Sequence, residues 1–114
     1  MATIVQREQE NRRFRRTREY GPQKLAVNYT VNNGRNSGAC EAKLYDFSEG
    51  GLGMDAPRPF ESGEIVEVEG ELKGTAYSMQ LTAKGRVVYC RRLDSKSYRV
   101  GLAFLEISYR PLLG

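Results

Sequence analysis

Chemistry in this chain has to come from two short stretches. Asn11-Arg12-Arg13-Phe14-Arg15-Arg16 gathers four guanidinium groups around one aromatic ring, and Asp46-Phe47-Ser48-Glu49-Gly50-Gly51, some thirty residues later, is a polar turn with two glycines. Cationic forks beside a backbone that can be approached closely suit an anionic, planar ligand. The usual apparatus of catalysis is missing. There is no histidine, no Ser/His or Cys/His arrangement, no metal-ligand cluster and no Gly-rich phosphate loop with its lysine, so the chain reads as a binding protein and not an enzyme. Cys40 and Cys90 fall outside any Cys-x-x-Cys spacing and in apolar, strand-like segments, which makes them reduced, buried small hydrophobes.

A chain of 114 residues, 39% hydrophobic and 28% charged, supports one domain with a single core. Its apolar runs are a few residues long, far short of the ~20 that span a bilayer, so no membrane insertion is expected. Met1 to Arg7 lacks the apolar stretch and small-residue cleavage site of a signal peptide, which places the protein in the cytoplasm. The net charge of +4 is unevenly spread. Arg7, Arg12, Arg13, Arg15, Arg16 and Arg18 make one basic group, and Lys84, Arg86, Arg91, Arg92, Lys96 and Arg99 a second. Glu61, Glu64, Glu67, Glu69 and Glu71 form an acidic stretch between them, so the molecule is electrically polarised and steers phosphates to its basic end.

The elements that must position these residues are strands. Residues 1–10 show no sustained periodicity and read as a mobile leader, and Gly21-Pro22 closes the arginine-rich segment as a loop feeding a strand. Lys24 to Val31 alternates, with Leu25, Val27, Tyr29 and Val31 on one face. Asn32 to Gly38 supplies a hairpin turn, and Ala39 to Tyr45 returns with Cys40, Ala42 and Leu44 inward, delivering the Asp46 turn. Gly51 to Ala56 is a short strand stopped by Pro57 and Pro59. Glu64 to Glu69 resumes the alternation, and a turn follows around Gly70 or Gly74. Tyr77 to Arg91 is one long strand bent near Gly85, with Met79, Leu81, Ala83, Val87 and Tyr89 as its apolar set. After a turn at Asp94-Ser95-Lys96, Tyr98, Val100, Leu102 and Phe104 alternate in a last strand. Six or seven short strands with almost no helical periodicity predict an all-β, antiparallel barrel or sandwich.

From Glu10 to Phe104 the chain resembles the PilZ domains. Arg12-Arg13-Phe14-Arg15-Arg16 is similar to that family's Arg-x-x-x-Arg motif and Asp46-Phe47-Ser48-Glu49-Gly50-Gly51 to its Asp/Asn-x-Ser-x-x-Gly motif, with one hairpin between them. Tyr98 to Phe104 looks like the family's last barrel strand. The resemblance implies a six-stranded antiparallel β-barrel at residues 11–107, between the leader and a tail at 108–114. PilZ domains commonly carry a helix after the last strand; here Leu105 to Gly114, interrupted by Pro111, leaves room for at most a turn of one.

The implied ligand is the bacterial second messenger cyclic di-GMP, with no further cofactor. Arg12 and Arg16 then clamp phosphate and guanine, since a guanidinium can fork onto either and stack on a flat base. Asp46, acceptor-only when ionised, pairs with guanine N1 and N2 hydrogens. Ser48 donates to a phosphate or base, Gly51 removes a β-carbon where the ligand meets the barrel wall, and Gly50 lets the turn take positive φ. Arg13 and Arg15 face a second ligand molecule if an intercalated dimer binds. The arginine segment folds over the ligand and changes the surface offered to a partner protein or neighbouring domain. Two other readings stand beside this one. A small basic barrel with seven tyrosines and four phenylalanines can bind single-stranded nucleic acid, although no strand shows basic and aromatic residues interleaved, which weighs against it. A PilZ-like fold can also serve purely as a protein interaction module.

Overall fold

The computed structural model describes residues 23–31, 34–73 and 78–112. The leader and the whole Arg12 to Arg18 segment lie outside the described residues. Six strands are present: β1 (Lys24–Val31), β2 (Asn36–Ser48), β3 (Gly51–Ala56), β4 (Ile65–Lys73), β5 (Ser78–Asp94) and β6 (Ser97–Leu112). They close into an antiparallel barrel in the order β1-β2-β3-β6-β5-β4, as the family resemblance implies. The seam is short, running from Ala26 opposite Glu69 to Asn28 opposite Glu67.

Strand alternation builds the core. Leu25 and Val27 of β1, Leu44 of β2, Leu52 and Met54 of β3, Val66 and Val68 of β4, Leu81 and Val87 of β5, and Val100 and Leu102 of β6 are at most 1% exposed. Burial of each such side chain is worth roughly 1.5–3 kcal/mol, which is what holds a barrel of this size closed. Phe60, just past the two prolines, is buried and meets Tyr29 edge-on with ring centroids 5.5 Å apart. The Arg58 guanidinium lies over both rings, 4.3 Å from one centroid and 4.4 Å from the other.

Several boundaries differ from the sequence expectation; β2, for one, runs on to Ser48 through the stretch read as the Asp46 turn. β2 begins at Asn36, because the hairpin ladder starts already at Val31 opposite Asn36. The β4 to β5 turn agrees with the second of its two expected places: Gly70 sits inside the ladder opposite Leu81, and the ladder ends only at Lys73 opposite Ser78. β6 runs on to Leu112 where only a turn of helix seemed to fit, because β5 extends back to Ser78 and offers it a partner throughout. Pro111 is tolerated there. β3 leaves β6 after the Gly51 to Ala103 pair, so among the described strands this part of β6 is an edge, where a missing N–H costs little. At the chain's entry, Gln23 clasps Lys73 with two 2.9 Å hydrogen bonds, donating to its carbonyl and accepting from its N–H.

Candidate ligand-binding face

The position of Asp46 is decided by one extra residue. Leu44 pairs with Met54, but the next pair is Asp46 with Gly53, so Tyr45 is bulged out of the ladder. Without the bulge Asp46, two residues after the buried Leu44, would point into the core. With it, Tyr45 and Asp46 both face outward, and Phe47 turns in, 7% exposed, against Phe104 and Tyr109. The carboxylate lies over Gly53, where a Cβ would come within 2.6 Å of Asp46 Oδ1. Gly53 in turn pairs with Gly101 on β6.

Alongside this row, Asp55 of β3 and Arg99 of β6 stand opposite each other. Arg99 Nε donates to Asp55 Oδ1 and Nη2 to Oδ2 at 3.3 Å, a two-pronged pair in which the side chains are only 14% and 31% exposed. The Tyr45 ring covers this pair, its centroid 3.4 Å from the guanidinium carbon. The bond to Asp55 raises the Arg99 pKa further above its usual value despite burial. Arg99 therefore pins the bulged Tyr45 and, next to it, Asp46. The trio is not legible in the sequence, since its members are brought together across three strands. A charge in the middle of each of two apolar strands was the available signal.

The turn beyond Asp46 is held internally. Ser48 is 7% exposed; its Oγ accepts from the Gly50 N–H at 3.3 Å and donates to the Gly51 carbonyl at 3.4 Å. Phe104 N–H donates to the Gly50 carbonyl at 2.9 Å, tying the turn to β6. Left-handed backbone occurs at Gly34 and Gly63, in other turns. A Cβ on Gly51 would be driven into the Leu102 carbonyl oxygen, so the close approach of β6 explains this glycine without a ligand. The structure thus brings Asp46, Ser48, Gly50 and Gly51 to one end of the β2-β3 hairpin. Arg12, Arg13, Arg15 and Arg16 lie outside the described residues.

A second bulge mirrors the first. On β5, Val87 pairs with Leu102 and Tyr89 with Gly101, leaving Val88 as the extra residue. The sequence expectation of an inward Tyr89 is therefore overturned: the ring is 45% exposed and lies across Gly101, which has no room for a Cβ beneath it. Asp46, Gly53, Gly101 and Tyr89 form one row across β2, β3, β6 and β5.

Elsewhere the chemistry is plain. β4, β5 and β6 frame a depression of about 360 Å³ lined by Glu67, Lys84, Glu106 and Ile107, and Lys84 bridges Glu106 at 4.0 Å. Cys40 and Cys90 are free thiols, half-buried where full burial was expected, and burial pushes the Cys40 pKa up against the opposing pull of Arg58. Among the described residues no group of three His, Cys, Asp or Glu side chains can hold a metal, and no helix is long and apolar enough to cross a membrane.

Comparison with known proteins adds one finding. A search of curated proteins finds no match to the chain. The family model for the PilZ domain matches residues 10–111, taking in both motifs, β1 to β5 and β6 as far as Pro111. With that match across nearly the whole sequence, and a closed six-stranded antiparallel barrel beneath it, the chain belongs to the PilZ domain family.

Proposed function

We propose that this domain is a cytoplasmic bacterial receptor for cyclic di-GMP, a binding module and not an enzyme. The observation that carries the reading is the Asp46 carboxylate, turned to the barrel's outer face by the Tyr45 bulge and laid over a glycine. An outward carboxylate accepts the N1 and N2 hydrogens of a guanine lying on the strands, a pair of donors that adenine does not present. Arg12 and Arg16 supply the cations for phosphate and guanine, and Arg13 and Arg15 reach a second molecule where two bind. Ser48 keeps its turn in shape, with Gly50 and Gly51, and has an oxygen lone pair left for a ligand donor.

A carboxylate to guanine bond on the outer face of the strands competes with water. The arginine segment answers this by closing over the ligand, adding charge and excluding solvent, and the surface it then presents is the signal read by a partner protein or adjacent domain. Titration calorimetry tests the reading. The protein binds cyclic di-GMP saturably, and Arg12→Ala, Arg16→Ala and Asp46→Ala each weaken binding by about ten-fold or more, or about 1.4 kcal/mol. Unchanged affinity in all three variants removes the reading.

A further inference from the structure

β6 loses its neighbour on one side partway along. β3 pairs with it from Tyr98 to Ala103, and Phe104 N–H then reaches the Gly50 carbonyl. From Glu106 to Leu112 the strand continues, paired with β5 alone among the described strands. Residues 105–111 thus form a sheet edge, the kind of surface that accepts a further strand.

The side chains along this edge say which strand fits it. They read Leu105-Glu106-Ile107-Ser108-Tyr109-Arg110-Pro111, and the charges, Glu106 and Arg110, are opposite in sign and equally spaced to either side of Ser108. An edge with charge of one sign repels its own copy; this one complements it. Where two such edges run antiparallel about a two-fold axis through Ser108, Glu106 of each copy faces Arg110 of the other, Ile107 faces Tyr109, and Leu105 faces Pro111. The axis must pass through a residue for each copy to keep its sheet face, and moving it to Ile107 or Tyr109 separates the charges. Arg110 is exposed and stands opposite Gln80 on β5, and the Glu106 side chain is 74% exposed where it meets Lys84. There is apolar surface to bury as well. Leu105 and Tyr109 are 46% and 40% exposed, and Ile107 and Tyr109 stand opposite the buried Ala83 and Leu81, on the face of the sheet continuous with the core. Both ends of the ladder are fixed: β3 and the Gly50 turn stop it at one end and Pro111, without an N–H, at the other. In an antiparallel pair those two stops meet, so the assembly closes at two copies.

We propose that this edge is a homodimer interface, in which β6 of one copy adds to β6 of a second about a two-fold axis at Ser108 and joins their β4-β5-β6 sheets into one. The dimer does not depend on what the Asp46 face binds. Sedimentation equilibrium finds a reversible monomer-dimer equilibrium in the micromolar range. Arg110→Glu and Glu106→Arg each put like charges opposite one another twice per dimer and weaken association about ten-fold or more, whereas the double variant, with both charges exchanged, restores it to within about three-fold. Ser108→Cys, on the axis, oxidises in dilute oxidised glutathione to a disulfide between copies that peptide mapping places at residue 108, and Thr82→Cys, one strand back on β5, does not. A protein that stays monomeric at every concentration leaves the edge to another occupant, such as residues 1–22 of the same chain or a different protein, and overturns the dimer. So does a dimer that survives either single reversal unweakened, one that the folded double variant fails to restore, or one in which Ser108→Cys does not cross-link.

Discussion

The outer faces of β4 and of the β2-β3-β6-β5 row belong to one barrel and treat strand alternation differently. On β4 the period of two runs unbroken: Val66, Val68 and Leu72 point in, while Glu67, Glu69 and Glu71 point out and are exposed. Thr82 and Lys84 of β5 stand opposite Glu69 and Glu67 across that ladder. Lys84 to Glu106 at 4.0 Å is a surface contact of the kind that contributes little. The other row departs from alternation at Tyr45 and at Val88, and between the bulges it replaces side chains with Gly53 and Gly101. Unbroken alternation gives a solvated face on which each side chain is nearly independent. Bulges and glycines give a face whose side chains are aimed by the backbone.

The contrast can be broken at several strengths. The largest effect is expected from Gly51→Ala, whose Cβ meets the Leu102 carbonyl, a backbone atom that cannot swing away. Overpacking of this kind costs about 3 kcal/mol, read as a lower urea midpoint. Arg99→Ala comes next. It leaves the Asp55 carboxylate, 31% exposed, without its guanidinium and uncovers Tyr45, for a loss of about 2 kcal/mol after allowance for solvent screening. Arg99→Lys does not restore it, because an ammonium cannot make the fork. Both Arg99 variants also weaken cyclic di-GMP binding by loosening the bulge that aims Asp46. Glu69→Ala, on the unbroken face, leaves both the urea midpoint and the binding unchanged.

The smallest effect lies at the β5-β6 turn. Asp94 Oδ1 accepts from the Lys96 N–H at 2.7 Å and from Ser97 Oγ at 3.0 Å, and these bonds, the backbone one first, hold its carboxyl below the ordinary value of 3.8. A lowered folded pKa stabilises the turn above the unfolded value and ceases to do so as the pH falls through the folded one. Protection of the Lys96 and Ser97 amides, taken relative to their intrinsic exchange, therefore falls on acidification below about pH 3.8, while the middle of β4 stays protected at the same pH.

What the sequence disclosed follows the same division. The alternations Leu25-Val27, Val66-Val68 and Val100-Leu102 identify inward faces correctly because nothing interrupts them. Asp46 and Tyr89 are misplaced by that rule, since a bulge adds a residue without changing any residue type and shifts every later side chain by one face. The motif pattern singled out Asp46 without disclosing why it faces outward. The Asp55 to Arg99 pair was illegible for another reason: its residues are 44 apart in sequence and meet only through the β3-β6 register. Gly51 was read as room for a ligand, and the neighbouring strand needs that room whether or not a ligand does.

The central claim is that the bulge-aimed Asp46 reads guanine. Parallel calorimetric titrations with cyclic di-GMP and cyclic di-AMP, on the unmodified protein and on Asp46→Ala, test it most directly. The account predicts a strong preference for the guanine ligand, about a hundred-fold or more, that collapses in the variant as its affinity for cyclic di-GMP falls. Equal affinity for the two ligands, or a preference that survives the loss of the carboxylate, would contradict it.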